Sequence, residues 1–305
     1  MYKKEGFDDK YYSEIMNSLI EENKKYVGVV TKSFEYRVKQ IIDELLHKQY
    51  MYLLYQVIRK IFKKAEKKDK IVLSKTSFMS DKKIAVYTCI TGQYDYIKEP
   101  LFVPNNCDFF LVTDQKAVKT QKWRVVDIDL IDEIKYMNAK DKNRFVKMHP
   151  ELLFYDYDYS IYLDGNIQIV VDPTVFIQNM NRYGITTYRH TTEKCIYREA
   201  KKCILAKKAS KSEIEKHVKF LNKEKMPVNY GMAYCGFIVR EHRNKICQEI
   251  MDEWWKQYSQ YSKRDQISFP YILFKKGIAI NEITVLGDDI YSDYSLRNLP
   301  HFFRQ

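Results

Sequence analysis

The chain of 305 residues carries 52 Lys and Arg against 40 Asp and Glu, a net charge of +12, with 45% hydrophobic and 30% charged residues. This is the balance of a folded protein, not a disordered one, and nine Gly with seven Pro exclude collagen-like or linker-rich architectures. The cationic surplus favours anionic partners: phosphorylated small molecules, an anionic membrane face or nucleic acid.

The 26 Tyr are spread over the whole chain, which argues against a dedicated nucleic-acid surface. No run approaches 18 uninterrupted apolar residues, so no transmembrane helix is expected. The polar start at Met1 to Glu5 does not read as a secretory leader. Six Cys without a C-x-x-C pair point to reduced thiols and a cytoplasmic setting.

Residues 1–80 read as a helical extension. From Phe34, apolar residues such as Val38, Ile41, Leu45 and Leu46 recur at three- and four-residue steps. The pattern predicts an amphipathic helix that ends in a basic run, Arg59 to Lys68. Two uses of residues 31–68 stand side by side: packing or homo-oligomerisation, and peripheral contact with an anionic inner membrane face. The polar, unperiodic stretch Leu73 to Ser80 marks a boundary, with one domain over 81–305.

From Lys83 the pattern changes to short strands alternating with helices. Strands are expected at Lys83–Ile90, Phe109–Thr113, Trp123–Ile128, Tyr159–Leu163, Ile167–Val171, Ile185–Tyr188 and Cys235–Val239. Helices are expected at about 138–153, 194–208, 211–224, 243–260 and 265–276. Such interleaving predicts an α/β domain with a mainly parallel sheet flanked by helices. Ligands of these sheets sit beyond the carboxyl ends of the strands. Thr91 and Gly92, Asp114 and Asp164 each follow a strand end, so one crevice can collect them.

Asp164-Gly165-Asn166 is the central candidate. A carboxylate and an amide oxygen two residues apart on a bend can face one hard cation, Mg²⁺ or Mn²⁺. The plainer alternative is a tight turn, which the same residues favour. Arg144 and Lys147 share a helix face and can hold a diphosphate, or form a solvated basic face. Asp265 opens a helix and can cap it, contact a sugar hydroxyl or act as a base. His190 and His301 are candidate metal or phosphate ligands, or ordinary structural histidines.

These residues lie in an ordered series of motifs. Val86 to Asp95 reads Val-Tyr-Thr-Cys-Ile-Thr-Gly-Gln-Tyr-Asp, with Pro100 after it, and Thr113-Asp114 closes a strand. Asn143-Arg144 with Lys147 and Pro150 follows, then Tyr157 to Ile167, which contains Leu163-Asp164-Gly165-Asn166. His190, the segment Cys195 to Ala200, Gly231, Phe237 to His242, and Trp254-Trp255 leading to Arg264-Asp265-Gln266 complete it. Over roughly 84–275 the chain resembles the turgor-regulation and mucilage-related glycosyltransferase-like family.

That resemblance implies a GT-A-like nucleotide-diphospho-sugar transferase fold and transfer of a sugar to a glycan, glycolipid or protein acceptor. It implies donor contacts at Thr91, Gly92, Tyr94, Asp114, Arg144, Lys147, Asp164, Gly165, Asn166, His190 and Gln266. Asp164 and Asn166, with His301, would be the metal ligands for Mn²⁺ or Mg²⁺, and Asp265 with Asp164 the catalytic carboxylates. Asn166 departs from the acidic D-x-D pattern, which weakens the ion site and keeps a non-catalytic nucleotide-sugar or polyanion-binding module as the alternative.

Overall fold

The computed structural model describes residues 9–32, 82–92 and 94–299. The amphipathic helix expected from Phe34 onward, its basic run and the 73–80 boundary lie outside the described residues, as does His301. The elements in chain order are α1 (Asp9–Lys32), β1 (Ile84–Ile90), β2 (Cys107–Thr113), β3 (Arg124–Asp127), α2 (Ala139–Met148), β4 (Tyr159–Leu163), β5 (Ile167–Ile169) and β6 (Ile185–Arg189). After them come α3 (Ile196–Leu205), α4 (Lys211–Lys223), β7 (Ala233–Glu241), α5 (Lys245–Gln260), α6 (Asp265–Lys275), α7 (Ile280–Ile283) and β8 (Leu296–Asn298).

Six strands form one sheet in the order β3-β2-β1-β4-β7-β6. The first four run parallel, β7 opposes β4, and β6 opposes β7. The mainly parallel sheet flanked by helices expected from the sequence is therefore present. β1 is buried along its whole length, as a central strand covered on both faces must be.

Its side chains alternate between two cores. Ala85, Tyr87 and Cys89 point into one with Trp254 and Phe269, under α2 to α6. Ile84, Val86 and Ile90 point into the other with Ile161, Leu163 and Phe237. Met16 of α1 reaches that second core, and the buried Asn23 amide donates to the carbonyls of Tyr294 (2.7 Å) and Leu296 (3.1 Å). α1 is thus packed on the domain beside β8.

Two expectations change in detail. The run expected to be a strand at 167–171 is short and leaves the main sheet: β5 pairs with β8 in a separate two-stranded ribbon. The helix expected over 138–153 stops at Met148, and a single tight turn of Pro150–Leu152 follows. Pro150 has no N–H to continue the ladder.

The strand order reverses between β1 and β4, because β1 is flanked by β2 on one side and β4 on the other. Open α/β sheets bind ligands outside the strand ends at such a switch point.

Candidate functional site

A cleft of about 540 Å³ opens at that switch point. Its floor is the end of β1 and the turn after β4, with Thr91, Gly92, Tyr94, Asp164 and Gly165 among its lining residues. Lys140, Arg144, Lys208 and Arg264 line it as well. Three polar contacts fix the rim of β1. Thr91 donates its hydroxyl to the Ala139 carbonyl (2.9 Å), and Asn143 donates its amide to the Cys89 carbonyl (2.6 Å). The Gly92 N–H donates to Asp114 Oδ2 (2.8 Å). Gly92 has φ of +63°, a conformation that costs glycine little. Tyr94 leaves half its surface exposed at the cleft, a flat apolar ring within reach of a ligand.

The Asp164 turn is a tight turn that also lines the cleft. The Ile167 N–H donates back to the Asp164 carbonyl (2.9 Å), which closes a four-residue turn around Gly165 and Asn166. Tyr162 donates its hydroxyl to Asp164 Oδ1 (2.8 Å), and the Asp164 N–H donates to the Gly236 carbonyl (2.8 Å). Burial and the neighbouring Asp164 charge push the Tyr162 hydroxyl pKa well up, so this donor keeps its proton. Gly165 is needed for close approach: a Cβ there would lie 3.1 Å from Ile90 Cγ1 and 3.2 Å from Asp95 Cβ. Lys98 clamps the turn from outside, donating to Asp95 Oδ1 (3.0 Å) and to the Gly165 carbonyl (3.0 Å).

Gly236, which the sequence reading passed over, does the same for Asp164 from β7. A Cβ on it would come within 2.7 Å of Asp164 Oδ2 and of the Tyr234 hydroxyl. The alternation of β7 inverts at this glycine, with Cys235 in one core and Phe237 in the other. The β6–β7 register shifts alongside. A bulge of this kind re-aims side chains next to a site, and an isolated glycine inside a strand pattern is its sequence signal.

The cations are held differently. Arg144 Nε lies 3.0 Å from Asp265 Oδ2, and the Lys147 amine donates to the same oxygen at 2.6 Å. Burial works against the Arg144 charge, but Asp265 outweighs it and raises the guanidinium pKa. Burial alone would raise the Asp265 carboxyl, yet Arg144, Lys147 and Arg264 together hold it far below the usual carboxylate range. Lys140 and Lys208 reach solvent at the surface. Even so, packed protein around both amines lowers their pKa, and Arg264 adds to the effect.

This geometry corrects several expected roles. Asp265 has little proton affinity and serves as the anchor of Arg144 and Lys147, not as a base. Lys147 is buried beneath the cleft against the Tyr162 ring, 5.0 Å from its centroid, where no phosphate reaches it. Gln266 bonds to the Ala233 carbonyl and the Cys235 N–H, holding β7. His190 Nδ1 accepts from the Glu193 N–H (3.1 Å) in its own loop and is not among the cleft-lining residues. Asp114 stands behind Gly92, outside the lining.

Asn166 donates its side-chain Nδ2 to the Leu299 carbonyl (3.1 Å), while its backbone carbonyl accepts the Leu299 N–H (2.9 Å). Its Oδ1 is buried without a hydrogen-bond partner. Among the described residues no group of three or more His, Cys, Asp or Glu converges on one point. Asp164 keeps one oxygen outside its bond to Tyr162, and Asp95 is paired with Lys98. A divalent ion seeks about six oxygens. One charged ligand and one amide oxygen do not fit an ion held by the protein itself.

Sequence reasoning missed Lys140, Lys208 and Arg264 as lining residues of the cleft, and Gly236 beside Asp164. Lys140 had a signal, since it precedes Arg144 by one helical turn on the same face. Lys208 follows α3 in a loop and had none.

Residues 56–285 match the family described as TOD1/MUCI70, glycosyltransferase-like domain. A curated protein of Arabidopsis thaliana, "Probable hexosyltransferase MUCI70", is 22% identical over 214 residues, covering 61% of this chain and 36% of its own. The chain thus spans about a third of that relative's length. Among solved structures, mouse xyloside xylosyltransferase 1 in its apo form overlaps at a TM-score of 0.40 and 9% identity, over 66% of this chain and 83% of that one. The mannosyltransferase Ktr4p from S. cerevisiae in complex with GDP overlaps at 0.35 and 10%, over 92% and 80%.

Proposed function

Since the chain belongs to the TOD1/MUCI70 glycosyltransferase-like family, we propose that it transfers a sugar from a nucleotide-sugar donor to a hydroxyl of a glycan, glycolipid or protein. The observation that carries this reading is that one switch-point cleft is lined both by four basic side chains and by the Asp164 turn. A nucleoside diphosphate is an anionic leaving group, and preorganised positive charge where its negative charge grows lowers the barrier. Arg144 meets that need, held by Asp265 before any donor arrives. Asp164, with Oδ1 engaged by Tyr162, turns a carboxylate oxygen to the sugar, where it accepts hydroxyl protons and fixes the ring. Tyr94 offers its exposed ring to the base.

A second reading has one observation in its favour. The buried, partnerless Asn166 Oδ1 suits an Mg²⁺ or Mn²⁺ ion that the donor's diphosphate brings in with it, shared with Asp164. Both readings are tested by incubating the protein with a panel of nucleotide sugars and assaying for free sugar and nucleoside diphosphate. Slow donor hydrolysis that is lost in Asp164→Ala and Arg144→Gln is the expected result. Donor binding without turnover, with or without candidate acceptors, would leave a binding module instead.

For the setting of this reaction, the cytoplasmic face of a membrane remains our proposal. Among the described residues no helix is long and apolar enough to cross a membrane.

A further inference from the structure

We propose that the departing diphosphate is neutralised by the side chains of Lys140, Arg144, Lys208 and Arg264, so that donor binding and bond cleavage proceed without a divalent ion. The proposal rests on the nucleotide-sugar reading above and specifies its electrostatics. In the transfer, the bond from the anomeric carbon to the diphosphate oxygen breaks, and its electron pair goes to that oxygen. A bond forms from the anomeric carbon to the acceptor oxygen, whose proton leaves to water or to the departing phosphate.

Three observations on the cleft converge. It is lined by four basic side chains against two acidic ones, and Asp95 of that pair is already bound to Lys98. A divalent cation entering this field meets repulsion from every basic group, whereas a polyanion gains from each. Secondly, Arg264 lines the cleft, and a guanidinium there can hold a phosphate through two parallel N–H donors. Thirdly, the turn offers one carboxylate and one amide oxygen, fewer ligands than an ion site needs. Burial chiefly, with the Arg264 charge adding to it, lowers the pKa of Lys140 and Lys208, and a bound diphosphate would favour both protonated amines.

The test is calorimetric titration of the full chain with inorganic pyrophosphate and with UDP, GDP and ADP, first in EDTA and then with added Mn²⁺. At least one nucleoside diphosphate should bind in EDTA more tightly than pyrophosphate, and Mn²⁺ should change its affinity by less than about three-fold. Lys140→Ala with Lys208→Ala should weaken that binding by about ten-fold per lysine. Both side chains reach solvent, so the variant is expected to fold, which a thermal melt verifies. Nucleoside diphosphate binding that appears only with Mn²⁺, or that persists unweakened in the double variant, would overturn the proposal while leaving the donor reading intact. Pyrophosphate binding in EDTA with no gain from any nucleoside would keep the anion site and sink the nucleotide-sugar reading. No binding under either condition overturns both.

Discussion

The two walls of the cleft hold their charges by opposite means. On the cationic side, Arg144 is fixed by an ion pair to a buried carboxylate that also holds Lys147. On the acidic side, Asp164 has no basic partner among the described ion pairs and is fixed by a tyrosine hydroxyl, a backbone carbonyl and two close-packed glycines. An ion pair sets a charge rigidly in a dry place before the ligand arrives. A carboxylate held by neutral groups keeps its full charge for the ligand. The first arrangement suits a wall that must meet a leaving anion, and the second a wall that must grip hydroxyls.

The largest effect should come from breaking the cationic anchor. Asp265→Ala leaves Lys147 buried without its counter-charge, which should cost about 3–5 kcal/mol of stability. For a domain of this size the melting temperature should fall by on the order of ten degrees. Donor affinity should fall with it as Arg144 loses its tether. A melting temperature unchanged beside a collapse in turnover alone would restore Asp265 as a base and break the comparison.

The acidic wall breaks by packing. Gly236→Ala drives a methyl group into Asp164 Oδ2 and the Tyr234 ring, an overpacking worth about 1–3 kcal/mol. Because the clash falls on the carboxylate, hydrolysis of donor should drop further than stability does. A variant with wild-type turnover would show that Asp164 does not need its observed position.

Asn166→Asp sharpens the contrast. It restores a D-x-D pattern but removes the Nδ2 donor to Leu299, at roughly 1 kcal/mol. It should also create a measurable Mn²⁺ dependence of donor binding where the wild type has little. A wild-type Mn²⁺ dependence as strong as the variant's would mean that the ion is already part of the native site.

The sequence exposed one wall better than the other for a physical reason. Strand ends followed by Thr91, Gly92 and Asp164 are local signals, and hydrophobic runs such as Tyr159–Leu163 bound them closely. The rim therefore emerged almost complete. The cationic wall is assembled from α2, the loop after α3 and the start of α6, which only tertiary packing brings together. Nothing local marks Lys208 as a neighbour of Arg264. Asp265 misled for the same reason: a carboxylate at a helix start looks available until Arg144 and Lys147, over a hundred residues away, are seen to claim it. Gln266 likewise turned out to serve β7, a partner that no spacing reveals.

The smallest predicted effect is in pH dependence, and it falls only on the cationic wall. Burial is the chief cause that lowers the Lys140 pKa, with Arg264 and Arg144 adding to it and Asp265 and Asp141 opposing. Burial likewise lowers the Lys208 pKa most, with Arg264 adding to it and Glu199, Cys203 and Asp265 opposing. In both the free-state pKa is lowered, and a bound diphosphate stabilises the protonated amine and raises it. Affinity is then at its full value below the lowered free pKa and falls as pH rises through it, earlier than for an ordinary lysine. Each lysine contributes at most about a ten-fold loss per pH unit over that window. Lys140→Arg with Lys208→Arg keeps the charge at all accessible pH, so its affinity should stay flat where the wild type declines. Parallel declines in the two proteins would place the titrating group elsewhere, and the lysines would then lie outside the diphosphate's reach.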